Sequence, residues 1–120
     1  MILVAPYLIR AYHQWMEDSQ LTPHVLVDCS KADVIVPKAY VKQDQIVLNI
    51  SNEATNALVI SNETISFKAR FDGKSQIISV PTSAVLTIYA GENGEGMFFE
   101  NGTEEAEQSS DQSPNLTLLD

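Results

Sequence analysis

His24, Asp28 and Cys29 fall within six residues, and they are the types from which a thiol nucleophile and its base are built. The spacing works against that use. Side chains alternate along an extended strand, so His24 and Asp28 face one way and Cys29 the other. Cys29 therefore reads as a packed thiol at a strand end. His13 lies in a helical segment, with no Ser, Cys or acid around it in a catalytic pattern. One Cys and two His are a thin supply for zinc, which takes four ligands. Neither a phosphate-cradling glycine loop nor an EF-hand loop occurs, so no metal and no cofactor is expected. Carboxylates are plentiful but sit mainly in turns and in the C-terminal segment, where solvation is their ordinary role. The chain is expected to bind, not to catalyse.

Charge narrows what it binds. All seven Lys and Arg lie at or before Lys74, whereas eight of the sixteen acids lie after it. Residues 1–74 thus carry a net charge of −1 and residues 75–120 a net of −8. Nucleic acid needs clustered Lys and Arg to displace its counterions, and anionic membranes need the same. Neither is an expected partner. No apolar run reaches membrane-spanning length, and Met1 to Pro6 lacks the basic start of a signal peptide. A single cysteine, with no partner for an internal disulfide, fits a reducing cytoplasm. The Asn-x-Ser/Thr sequons at Asn49, Asn62, Asn101 and Asn115 are then chance matches.

The elements that must position a binding surface follow from periodicity. Pro6 suits the first turn of a helix. At 3.6 residues per turn, Tyr7, Leu8, Ala11 and Trp15 share one face, and Ile9, Tyr12 and Met16 another. One apolar face docks a helix on its own body. A second one calls for either deeper burial or another copy of the chain. From Pro23 the period becomes two. His24 to Asp28 reads as a strand, Val34 to Val36 as a short edge segment, and Ile46 to Ile50 as a strand after a turn at Gln43-Asp44. Ile65, Phe67, Ala69 and Phe71 alternate with Ser66, Lys68 and Arg70. Asp72-Gly73 then turns this strand into Gln76 to Val80, which Pro81 ends. Val85 to Tyr89 and Met97 to Phe99 flank a turn at Asn93-Gly94. Short strands with such turns predict a mainly β body, a small antiparallel barrel or sandwich behind one N-terminal helix.

The C-terminal residues differ in kind. Thr103 to Ser113 holds nothing that suits a core, and such composition does not offset its ordering entropy. The chain then closes on Pro114-Asn115-Leu116-Thr117-Leu118-Leu119-Asp120, an apolar motif at the end of a polar string. Three parts are expected: a body over residues 1–100, a flexible acidic linker over 101–113, and a partner-docking motif over 114–120.

Several blocks of the body resemble one family. Pro6-Tyr7-Leu8-Ile9-Arg10-Ala11-Tyr12 and Leu21-Thr22-Pro23-His24-Val25-Leu26-Val27-Asp28 are similar to the start of stringent starvation protein B, SspB. Gln45-Ile46-Val47-Leu48-Asn49-Ile50, Phe67-Lys68-Ala69-Arg70-Phe71, Ser79-Val80-Pro81 and Ile88-Tyr89-Ala90-Gly91-Glu92-Asn93-Gly94 follow in the family's order and spacing. The resemblance implies an adaptor that binds the ssrA degradation tag and delivers tagged proteins to the ClpXP protease. It implies an N-terminal helix on an Sm-like β-barrel, and a homodimer formed through that helix at Tyr7, Leu8, Ala11 and Trp15. It implies a tag-binding groove with Asn49, Phe67, Ala69, Arg70, Phe71, Ile78 and Val80, in which Ala69 must stay small. Phe67, Phe71 and Val80 read equally well as core residues.

By the same resemblance, Pro114, Leu116, Leu118 and Leu119 form a ClpX-docking terminus. Here Leu118-Leu119 replaces a paired Val, Thr117 stands where a basic residue is usual, and Asp120 adds a negative end. The linker is short for the family, since thirteen flexible residues span about 20 Å on average. Two other classes remain as alternatives. An Sm-like RNA-binding module would have to work with Lys68, Arg70 and Lys74 against a net charge of −9. A small hydrolase would have to use His24 and Cys29.

Overall fold

The structure is a computed structural model and describes residues 2–99. Helix α1 spans Ala5–Asp18, with Pro6 in its first turn, where a missing N–H costs nothing. The helix stops well before Pro23, through its own last turn. Gln20 takes a left-handed φ of 62°. Its N–H bonds to Glu17 O, and Leu21 N–H reaches back to Met16 O at 2.8 Å. These are the paired bonds of a Schellman end.

Seven strands follow: β1 (Pro23–Asp28), β2 (Gln45–Asn49), β3 (Asn56–Ile60), β4 (Thr64–Phe71), β5 (Lys74–Pro81), β6 (Val85–Ala90) and β7 (Gly96–Phe98). All pairings are antiparallel. They make two sheets, in the orders β2-β1-β6-β7 and β3-β4-β5. The body is thus mainly β behind one helix, as the sequence predicts, and no closed barrel forms among the described residues. Gln43 and Asp44 have φ of 53° and 61°, and Asp72 and Gly73 of 55° and 79°. Positive φ at both central residues matches the right-handed twist of the flanking strands, so both turns are tight hairpin turns.

Two segments differ from the expectation. β3 has no strand signal in the sequence, because Leu58-Val59-Ile60 does not alternate and Ala57 sits at φ 57° beside a register shift. Val34 to Val36 forms only a single bridge, Ile35 to Ser79, with Asp33 at φ 69° on one side and Pro37 on the other.

Val25, Val27, Ile46, Leu48 and Ile88 of the first sheet pack in one core with Ile65, Phe67, Ile78 and Val80 of the second. Helix α1 joins them through Ile9 and Met16, and packs against β1, β3 and β6. His13 lies in the same buried stripe. Its Nε2 is 2.9 Å from Ile50 O, so that nitrogen carries the proton and donates, fastening the helix to the end of β2. Arg10 ties the helix to the second sheet, donating to Ile60 O at 3.0 Å and Asn62 Oδ1 at 2.8 Å.

Glu92 holds the start of β1 to the β6–β7 turn. Its carboxylate accepts from the Thr22 hydroxyl and from Thr22 N–H. The hydroxyl bond first, then the N–H bond, lowers the Glu92 pKa below its ordinary 4.5. A depressed carboxylate stabilises the fold above its unfolded pKa and loses that effect as pH falls through the folded value. Glu92→Gln is therefore expected to lower the melting temperature at pH 7, and the gap to wild type should narrow below about pH 4.5. Thermal unfolding across pH measures it. A gap constant from neutral to acid pH would assign the loss to something other than the charge.

Candidate functional site

Strand β2 is an edge, bonded within its sheet to β1 alone. Cys29 N–H bonds Asp44 O, and Ile50 N–H bonds Pro23 O, in the register that pairs His24 with Asn49. Antiparallel alternation then turns the backbone groups of Ile46 and Leu48 towards β1 and those of Val47 and Asn49 away from it. Gln45 closes its own outward groups on Lys42 through the turn. Val47 and Asn49 are left presenting N–H and C=O along an open edge.

Opposite lies the end of β4. Strand β3 covers β4 only as far as Lys68, which pairs with Asn56. Ala69, Arg70 and Phe71 have β5 on one side and no described strand on the other. The space between is a cavity of about 440 Å³, lined by His24, Val47, Leu48, Asn49, Ala54, Phe67, Ala69, Arg70 and Phe71. A second cavity of about 320 Å³, with Leu26, Tyr40, Lys42, Gln45 and Ile46, shares Val47 and Phe71 with the first. The two make one trough along β2, whose five residues measure about 17 Å. That is room for a short extended peptide.

Of the seven groove candidates, Asn49, Phe67, Ala69, Arg70 and Phe71 come together here. Ile78 and Val80 lie fully buried under the sheet. Phe67 belongs to both, a core side chain at 3% exposure that also reaches the cavity. Ala69 is half-buried at the uncovered end of β4, where its small side chain leaves the cavity open. Val47 and Tyr40 went unnoticed in the sequence. Val47 carried a signal, because Ile46-Val47-Leu48 is apolar on both faces of a half-exposed strand. Tyr40 stacks edge-on against Phe71, with centroids 5.0 Å apart, and its hydroxyl bonds Asp72. The Asp72 carboxylate, through that bond first and then its charge, raises the phenol pKa.

The residues considered for catalysis are placed otherwise. Burial, then the Asp28 and Asp44 carboxylates, push the Cys29 thiol pKa up, which suppresses the thiolate that would be the nucleophile. His24 stacks on Tyr89, with centroids 5.6 Å apart, and its Nδ1 lies 3.0 Å from Thr22 O. A Cβ at Gly91 would come within 2.7 Å of that ring, so glycine there makes room for it. Among the described residues no His, Cys, Asp and Glu gather in a group fit to hold a metal. No helix among them is long and apolar enough to cross a membrane.

On α1, Tyr7 is 47% and Trp15 41% exposed, and Ala11 lies exposed between them. Leu8 is half-buried against the core. One apolar face of the helix is thus used by the body and the other stands open. Pro114, Leu116, Leu118 and Leu119, with the linker before them, lie outside the described residues.

Comparison with known proteins adds a relationship to this geometry. A sequence model described as stringent starvation protein B matches residues 3–117. A stringent starvation protein B homolog of Haemophilus influenzae is 50% identical over 95 residues. That alignment covers 79% of this chain and 63% of the relative, so the chain spans somewhat under two thirds of the relative's length.

Proposed function

Because the chain belongs to the stringent starvation protein B family, we propose that it is a protease adaptor. It holds ssrA-tagged polypeptides in the trough between β2 and β4 and brings them to the ClpX unfoldase of ClpXP. The observation that carries this reading is the open edge of β2 facing the small side chain of Ala69. An extended peptide adds to such an edge as a further strand. Val47 and Asn49 supply backbone bonds, and alternate peptide side chains enter the two cavities. Arg70 and Lys42 contribute one cation to each cavity.

The adaptor performs no bond chemistry. Holding tag and unfoldase together makes capture intramolecular, which raises avidity by roughly 10²–10⁴ without new contacts. Calorimetry of the chain with an ssrA-tag peptide, and then with the ClpX N-terminal domain, tests both halves. Saturable heat in both titrations is expected, and a flat tag titration would sink the reading.

The open face of α1 makes the chain a homodimer in this proposal, with two termini per assembly. Ala11→Asp is expected to give monomers, because a charge buried without a partner at a twofold contact costs several kcal/mol. Light scattering decides the matter. A variant that remains dimeric would move the interface elsewhere.

A further inference from the structure

The outer face of the β3-β4-β5 sheet carries an apolar patch with a basic margin. Val59, Ile77 and Ile35 are 55%, 67% and 57% exposed. The register puts Val59, Ser66, Ser79 and Ile35 in one transverse row, with Lys68 and Ile77 in the next. Ser66 and Ser79 are small, so the branched side chains stand clear of the surface. Strands lie about 4.8 Å apart, so the row is roughly 15 Å wide. Lys68 and Arg70 alternate onto this face towards the hairpin end of the sheet, whereas Lys74 is the register partner of Phe71 and belongs to the other face. Neither Lys68 nor Arg70 forms an ion pair with a described residue.

The matching occupant is acidic and apolar together. Residues 100–120 have that chemistry, with six acids, no Lys or Arg, and Leu116, Leu118 and Leu119. Reach is sufficient. The described chain ends at Phe99, whose N–H bonds Leu86 O, and Leu86 lies nine residues beyond Ile77. Nine residues span at most about 32 Å, whereas twenty-one extend to about 70 Å.

We infer that residues 100–120 dock on this outer face, carboxylates against Lys68 and Arg70, and the terminal leucines on Val59, Ile77 and Ile35. The contact shares Arg70 with the trough and is otherwise independent of the adaptor reading. Its consequence rests on that reading: the terminus would be held on the body until the unfoldase competes for it. Salt would loosen this hold, because exposed charges are screened within about 10 Å at 0.1 M.

Amide spectra of the full chain test it, comparing wild type with the triple variant Leu116→Ser, Leu118→Ser, Leu119→Ser. At low salt the resonances of Val59, Lys68 and Ile77 should shift between the two proteins, while those of Val47 and Asn49 stay in place. High salt should shrink the difference. Identical resonances at the patch would overturn the inference, and so would shifts that grow with protein concentration, which would make the occupant another copy. Neither spectrum contains tag or unfoldase, so failure here leaves the adaptor proposal standing, and a flat tag titration leaves this contact standing.

Discussion

Ala69→Gln is expected to abolish capture of an ssrA-tag peptide while leaving the protein folded. Ala69 pairs with Gln76 at the end of β4 that β3 does not cover, and its side chain lines the larger cavity. A glutamine there has no core to enter, since Phe67 and Ile78 already fill the space beneath. It must instead project into the trough, where it takes the volume that a peptide side chain needs. Its amide would also compete for the outward backbone groups of Val47 and Asn49. Because the position is half-buried and β4 keeps its ladder to β5, the stability change should be about 0.5 kcal/mol or less. Tag affinity should fall at least tenfold, or about 1.4 kcal/mol. Anisotropy of a labelled tag peptide measures the first quantity and thermal unfolding the second. Wild-type affinity in a folded variant would remove Ala69 from the site.

Deleting Pro114 to Asp120 should have the opposite profile. Tag affinity and dimerisation should persist, because the trough and the open face of α1 are both built within residues 2–99. Delivery should collapse, since loss of the tether forfeits the avidity of roughly 10²–10⁴. A degradation assay with tagged substrate held well below its own affinity for ClpXP reads this, with tag binding measured on the same sample. Leu118→Ser with Leu119→Ser should reproduce the deletion if those leucines carry the contact. Undiminished acceleration by the deleted chain would show that another segment docks the unfoldase.

Much of the scaffold was readable because it depends on local rules. The β4–β5 hairpin follows from one alternating segment and Asp72-Gly73, and both ends of the pattern appear where the residues place them. The two apolar faces of α1 were legible too, but not which of them the body would take. Burial assigns that role to Ile9 and Met16 and leaves Tyr7, Ala11 and Trp15 outside. β3 was not legible. Most of its side chains are exposed, so no burial pattern is written into its residues, and it exists because β4 offers a partner.

The trough was harder still. It depends on β2 and β4, strands of different sheets some twenty residues apart, lying opposite each other with β3 too short to fill the gap. Alternation groups Phe67, Ala69 and Phe71 on one face, yet only the length of β3 decides where that face passes from core to cavity. Ile78 and Val80 share the inward pattern and fall wholly on the core side.

The uncovered edge of β2 has a cost for the empty protein. Unsatisfied strand edges recruit any chain with a compatible strand, and Gln45 to Ile50 is an uncharged stretch, half of it β-branched, of the kind that templates fibrils. Lys42 and Asp44 guard one end of this edge, but Val47 is 48% exposed beyond them. A ligand lying there acts as a cap. Concentrated stocks of the ligand-free protein should therefore nucleate insoluble material sooner than the same stocks saturated with tag peptide, and shelf life becomes a readout of occupancy.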